Sequence, residues 1–130
     1  MDYSRTITLD LPYADAVPRV KEALAEQGFG VLTEIDVRAT MREKLGEEME
    51  EYVILGACNP QLAHRALGVD REIGVLLPCN VVVRAAPDGR TVVQALDPAV
   101  MVTVPELPAL EPVAEEADTR IRAALAALTS

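Results

Sequence analysis

The chain has 130 residues, with 21 acidic against 12 basic side chains and a net charge of −9. Half of its residues are hydrophobic, yet only Phe29 and three tyrosines are aromatic. One domain spanning 1–130 with an aliphatic core is expected, and such a surface repels nucleic acid and anionic lipid. No run reaches the ~18 to 20 apolar residues of a membrane helix. The opening MDYSRTITLD lacks a signal peptide's charged-then-apolar pattern. A cytoplasmic protein that binds no nucleic acid or membrane and keeps both cysteines reduced is therefore expected.

In chain order, Tyr3 to Leu9 alternates apolar and polar residues and predicts a strand with one wet side. Only Arg5 would guard it if it lay at a sheet edge. Asp15 can cap a helix with Pro18 in its first turn, its inner stripe running Val17, Val20, Ala23, Leu24 and Gln27 until Gly28 closes it. Phe29, Val31, Ile35 and Val37 predict one face of a second strand. Thr40 and Glu43 form a capping box that opens a short helix at Met41, with Gly46 as its stop. Tyr52 to Leu55 reads as a strand buried on both faces, ending at Gly56-Ala57-Cys58.

Asn59-Pro60 is the clearest helix start in the chain: a capping side chain, then a residue whose missing N–H costs nothing there. Leu62, Ala63, Ala66 and Leu67 share one face of that helix, and Gly68 is its natural stop. The run Ile73 to Leu77 is broken by Pro78. From Cys79 the pattern alternates, with Cys79, Val81, Val83 and Ala85 on the apolar side. Pro87-Asp88-Gly89 then turns the chain into a hairpin partner over Thr91 to Leu96. Asp97-Pro98 can cap one further turn through Met101. Pro105, Pro108 and Pro112 stiffen a connector, and an amphipathic helix follows over about 112–128. The hairpin demands antiparallel pairing, so the expected fold is a two-layer α+β sandwich with helices on one face of the sheet.

The stretch LGACNPQLAHRAL, then IGVLLPCNVVV, the Pro-Asp-Gly turn and TVVQALDPAVM resembles the bacterial and archaeal domain-of-unknown-function 302 family. The resemblance rests on Asn59-Pro60, Leu76-Leu77-Pro78, Pro87-Asp88-Gly89 and Asp97-Pro98, and covers about 17–102. Gly56-Ala57-Cys58 before Asn59-Pro60 places the chain with a cysteine-bearing branch. The resemblance implies a TATA-box-binding-protein-like topology, often seen as a dimer, and implies no activity. It does not carry DNA binding, because fold is not function and the charge here is wrong.

No catalytic constellation stands out. Ser4 and Ser130 sit in no nucleophile elbow, the glycines form no phosphate loop, and the acidic run Glu47 to Glu51 lacks the spacing of a calcium loop. No C-x-x-C is present, so no metal quartet is expected and no cofactor is named. Cys58 and Cys79 read as buried small residues or as a thiol or soft-metal site. Cys58 is the better thiol candidate, since it ends a strand before a helix N-terminus. His64 projects to the margin of its helix. Cys58, Asn59, His64 and Asn80 are the candidate ligand or thiol residues. The expected function is a non-catalytic module that binds a small ligand or a protein and acts as a homodimer; the alternative is thiol-based redox or soft-metal chemistry at Cys58.

Overall fold

A computed structural model describes residues 2–129. Its five strands form one antiparallel sheet in the order β1-β5-β4-β3-β2. These are β1 (Ser4–Leu9), β2 (Gly30–Asp36), β3 (Tyr52–Cys58), β4 (Cys79–Ala85) and β5 (Thr91–Leu96). The helices are α1 (Tyr13–Glu26), α2 (Val37–Leu45), α3 (Pro60–Val69), the single turn α4 (Val100–Thr103) and α5 (Glu111–Thr129). A 3-10 segment covers Arg71–Leu76 and another Pro108–Leu110. The expected α+β sandwich is the one observed, with β1 and β2 as its edges.

The register sorts the strand residues into two faces. Val53 and Leu55 of β3, Val81 and Val83 of β4, and Val93 and Ala95 of β5 are buried under α1 and α5. Their alternates point the other way: Ile54 opposite Val82, and Val82 opposite Gln94. On this second face every strand residue is half-buried or exposed except Gly56. The strand Tyr52 to Leu55 is therefore buried on one side only, because Tyr52 and Ile54 belong to the open face.

β2 departs from simple alternation. Its pairing with β3 shifts between Val31 and Thr33, where an extra residue, Leu32, bulges out. Val31 lies opposite Ala57 on the covered side, whereas Ile35 lies opposite Ile54 on the open side. The two were expected on one face, and the bulge separates them. Lys21 of α1 reaches Glu34 at 2.7 Å, which fixes Glu34 on the covered side.

Two helix starts also differ from expectation. α1 opens at Tyr13, because the carbonyl of Pro12 accepts from the N–H groups of Asp15 and Ala16, both at 3.0 Å. Asp15 then sits in the first turn, where its charge favours the helix N-terminus, and Pro18 falls one turn further in. α2 opens at Val37 rather than Met41, since Asp36 Oδ1 accepts from the Ala39 N–H at 2.9 Å. Thr40 is already inside that helix and donates its hydroxyl back to the Asp36 carbonyl. Gly46 stops α2 as expected, at φ 66°.

Burial divides into two clusters. The larger lies between the sheet and the α1–α5 pair, around Val20, Phe29, Leu55, Val83 and Ile121. The smaller joins Leu62 and Ala66 of α3 to Ile73, Met101, Leu110, Val113 and Ala117. α5 serves both: Val113 and Ala117 in one, Ile121, Ala124 and Leu125 in the other.

Candidate functional site

The seam between the clusters is where β3 hands the chain to α3. Asn59 sits there in extended conformation and caps the helix, its Oδ1 accepting from the Leu62 N–H at 3.2 Å. It is almost fully buried. Its side chain lies across Gly28, the residue that ends α1 at φ 83°. A Cβ on Gly28 would stand 3.0 Å from the Asn59 amide nitrogen, so glycine is required both for the left-handed turn and for the close approach.

Cys58 is the last residue of β3 and is half-buried. Cys79 opens β4, directly opposite Ala57 in the register, and is 7% exposed. Burial pushes the Cys79 thiol up to about 11, and the neighbouring Cys58 adds to the shift. At neutral pH Cys79 is thus a protonated, shielded thiol.

Both cysteines line one small hollow of about 20 Å³, room for a single water-sized occupant. Phe29, Asn59 and α3 residues Leu62, Ala63 and Ala66 form part of its wall. Ala57, Leu77, Pro78, Met101, Val113 and Ala117 form the rest. No carboxylate, imidazole, ammonium or guanidinium is among these residues, so the hollow contains no acid–base pair.

The four residues singled out from sequence do not gather. Cys58 and Asn59 share the hollow; His64 and Asn80 do not line it. His64 is exposed on α3, next to Arg65, which pairs with Glu116 of α5 at 3.3 Å. Asn80 is exposed on the open face, in a shallow groove of about 300 Å³ with Tyr3, Tyr52 and Val82. Met101 was not among the candidates; it lies in α4, whose N-cap is Ala99 without a side-chain cap, and Asp97 Oδ1 accepts from the Ala99 N–H at 3.0 Å just ahead of that turn rather than capping it. Only tertiary folding brings Met101 to Cys58, more than 40 residues earlier in the chain. Among the described residues, no group of three or more His, Cys, Asp or Glu side chains could hold a metal ion. No helix among them is long and apolar enough to cross a membrane.

The family model for the domain of unknown function DUF302 matches residues 5–128. The chain belongs to the DUF302 family. A solved relative, the crystal structure of an uncharacterized conserved DUF302 protein from Bacillus stearothermophilus, superposes with a TM-score of 0.90 at 30% identity. The match covers 98% of this chain and 99% of that one. No curated protein matches. Membership confirms the resemblance read from Asn59-Pro60 through Asp97-Pro98, and with it the α+β architecture; the family name carries no activity.

Proposed function

We propose that this DUF302 chain is a non-catalytic cytoplasmic binding module, for a small ligand or a protein, that works as a homodimer joined through the open face of its sheet. The observation that carries this reading is the charge of that face. The chain bears 21 acidic residues, yet none lies among the strand positions of the open face, whose sole charged side chain is Arg84. Arg84 is itself engaged, donating to Gln94 Oε1 at 3.1 Å, and Gln94 reaches Thr6 at 3.3 Å. Two copies with strong like charge can meet only where repulsion is low, and this face is such a place. Ile35, Tyr52, Ile54 and Val82 supply its apolar surface.

Size agrees with that use. Five strands at ~4.8 Å spacing and six residues at ~3.4 Å each span roughly 500 Å² in projection. Side-chain relief and the adjacent α2 bring this toward the ~800 Å² per partner of a standard interface. Sedimentation at micromolar concentration tests it. A dimer that becomes monomeric in Ile54→Glu, with unchanged circular dichroism, is the expected result. A wild-type monomer at every concentration overturns it.

A second reading, thiol chemistry at Cys58, is favoured by the unequal burial of two cysteines around one hollow. Cys58 should react with iodoacetamide at neutral pH much faster than Cys79 in the folded protein. Equal slow labelling, complete only after denaturation, would leave two structural cysteines.

A further inference from the structure

A groove of about 420 Å³ runs between the 3-10 segment Arg71–Leu76 and the chain that leaves α4. Its apolar lining grades from buried Ile73 through half-buried Leu76, Pro105 and Leu107 to exposed Val75 and Val104. Val75 is 82% exposed, more than any other large hydrophobic side chain among the described residues, and Val104 is 60% exposed. The two remaining lining residues, Asp70 and Glu72, are both acidic, and no basic side chain lines the groove. Asp70 Oδ1 accepts from the Glu72 N–H at 3.1 Å. Among the described residues, neither carboxylate is paired with a cation.

Between Pro105 and Leu107, Glu106 is held at φ 55°, the one non-glycine at positive φ among the described residues. The Leu107 N–H donates to the Val102 carbonyl at 3.0 Å and closes this turn, a helix end at which glycine is the usual occupant. A glutamate there costs backbone strain and sets a third carboxylate beside the groove. Charge then selects the occupant. Nucleic acid and anionic lipid are repelled. A second copy, itself at −9, meets like charge here, unlike at the open face. A compact small ligand finds no convergent set of polar groups to orient it.

We propose that this groove docks a short segment of a partner protein in which lysine or arginine flanks a pair of aliphatic residues. The aliphatic pair covers Val75 and Val104, and the flanking cations face Asp70, Glu72 and Glu106. The proposal gives the binding-module reading its partner class and rests on it. It is independent of the dimer, since no lining residue of the groove belongs to the sheet. The net charge of the chain speeds the encounter and fixes its salt dependence, while the apolar contacts supply most of the affinity.

The test follows the amide NMR signals of the isotope-labelled full chain as a synthetic peptide is added. The peptide carries a leucine–valine pair between two lysine–arginine pairs. Shifts should concentrate in 69–76 and 102–107. Replacing the leucine–valine pair by two serines should weaken binding by about 10-fold or more, and replacing the four cations by glutamate should abolish it. In the protein, Val75→Ser with Val104→Ser changes only exposed side chains, so the fold survives, and binding should fall by about 10-fold. Glu72→Gln with Glu106→Gln should weaken it by about 3-fold, and by less as salt rises. Equal binding of the serine peptide, unchanged binding to the Val75/Val104 variant, or no localised shift at millimolar peptide overturns the proposal. Shifts spread over the whole acidic surface overturn it too. Groove signals that move with protein concentration alone would give the site to a second copy and overturn it as well. Shifts confined to the open face would end the groove and keep the binding module. Sedimentation of the same sample reads the dimer separately, so loss of the groove leaves that reading standing.

Discussion

The two faces of the sheet are made by the same strands, residue by alternate residue, and they have opposite character. On the covered face Leu55, Val83 and Val93 are fully buried beneath α1 and α5. On the open face their immediate neighbours Ile54, Val82 and Val92 are only half-buried, and Ile35 is 49% exposed. Hydrophobicity alone does not distinguish Leu55 from Ile54. What differs is the layer behind them: one side meets two amphipathic helices, the other has no such helix pair over it. A β-branched residue in a strand is therefore not by itself a core residue, and its phase relative to the helices decides its energetic weight.

The sharpest way to break this comparison is to truncate adjacent residues on opposite faces. Leu55→Ala should cost about 2–5 kcal/mol, the range for a large-to-small change in a packed core. Ile54→Ala should cost well under half as much in the monomer, measured by urea unfolding at a concentration below dimerisation. Equal losses would mean that the open face is packed by the chain itself.

A smaller effect is expected where the open face is tightest. A Cβ on Gly56 would collide with the Thr33 hydroxyl and stand 3.0 Å from Pro78 Cγ. Gly56→Ala should destabilise by about 1–3 kcal/mol, the usual cost of overpacking. Adding Thr33→Ala should recover part of that loss, which the double-mutant cycle reads directly. Additive losses in the cycle would show that Thr33 is not the obstacle.

The smallest effect belongs to the polar margin of the covered face. Arg5 of β1 donates to Asp118 of α5 at 2.8 Å, and Arg122 donates to the same carboxylate at 2.9 Å. Burial works against the Asp118 charge, but the bonds from Arg5 and Arg122 outweigh it and hold its pKa below the ordinary 3.8. A carboxylate depressed in the folded state stabilises above its unfolded pKa and loses that contribution as pH falls through the folded value. Asp118→Asn should therefore cost about 1 kcal/mol at neutral pH. The gap to wild type should close as the pH drops below 3.8, and a gap unchanged in acid would assign the loss to packing.

Most of the architecture was legible because its signals are local. Asn59-Pro60 starts α3, Gly46 ends α2, and the Pro87-Asp88-Gly89 turn sets the hairpin that makes the sheet antiparallel. What was missed involved competition or distance. Asp36 and Thr40 both carry capping side chains four positions apart, and only the geometry at the end of β2 shows that Asp36 prevails. The bulge at Leu32 left no turn residue to announce it, yet it reverses the side on which Ile35 lies. At the candidate site, Cys58 and Asn59 were readable as a strand end and a helix cap. Met101 was not, because no periodicity links it to either cysteine. His64 and Asn80 sit close to the hollow in sequence, but helix phase and strand phase carry their side chains to other surfaces.

The division of the core into two clusters has a consequence for how the molecule opens. Units with separate apolar contacts can lose protection from hydrogen exchange at separate free energies, up to the global limit. The smaller cluster is built from short pieces, α3, α4 and two 3-10 segments, whereas the larger one is anchored by the sheet and two long helices. Amide exchange should therefore be faster across 60–76 and 100–110 than in β4 and β5, with α5 graded along its length because its first turns belong to one unit and its last to the other. Cys79 lies on the boundary of those units, so its shielding is only as durable as the weaker of the two.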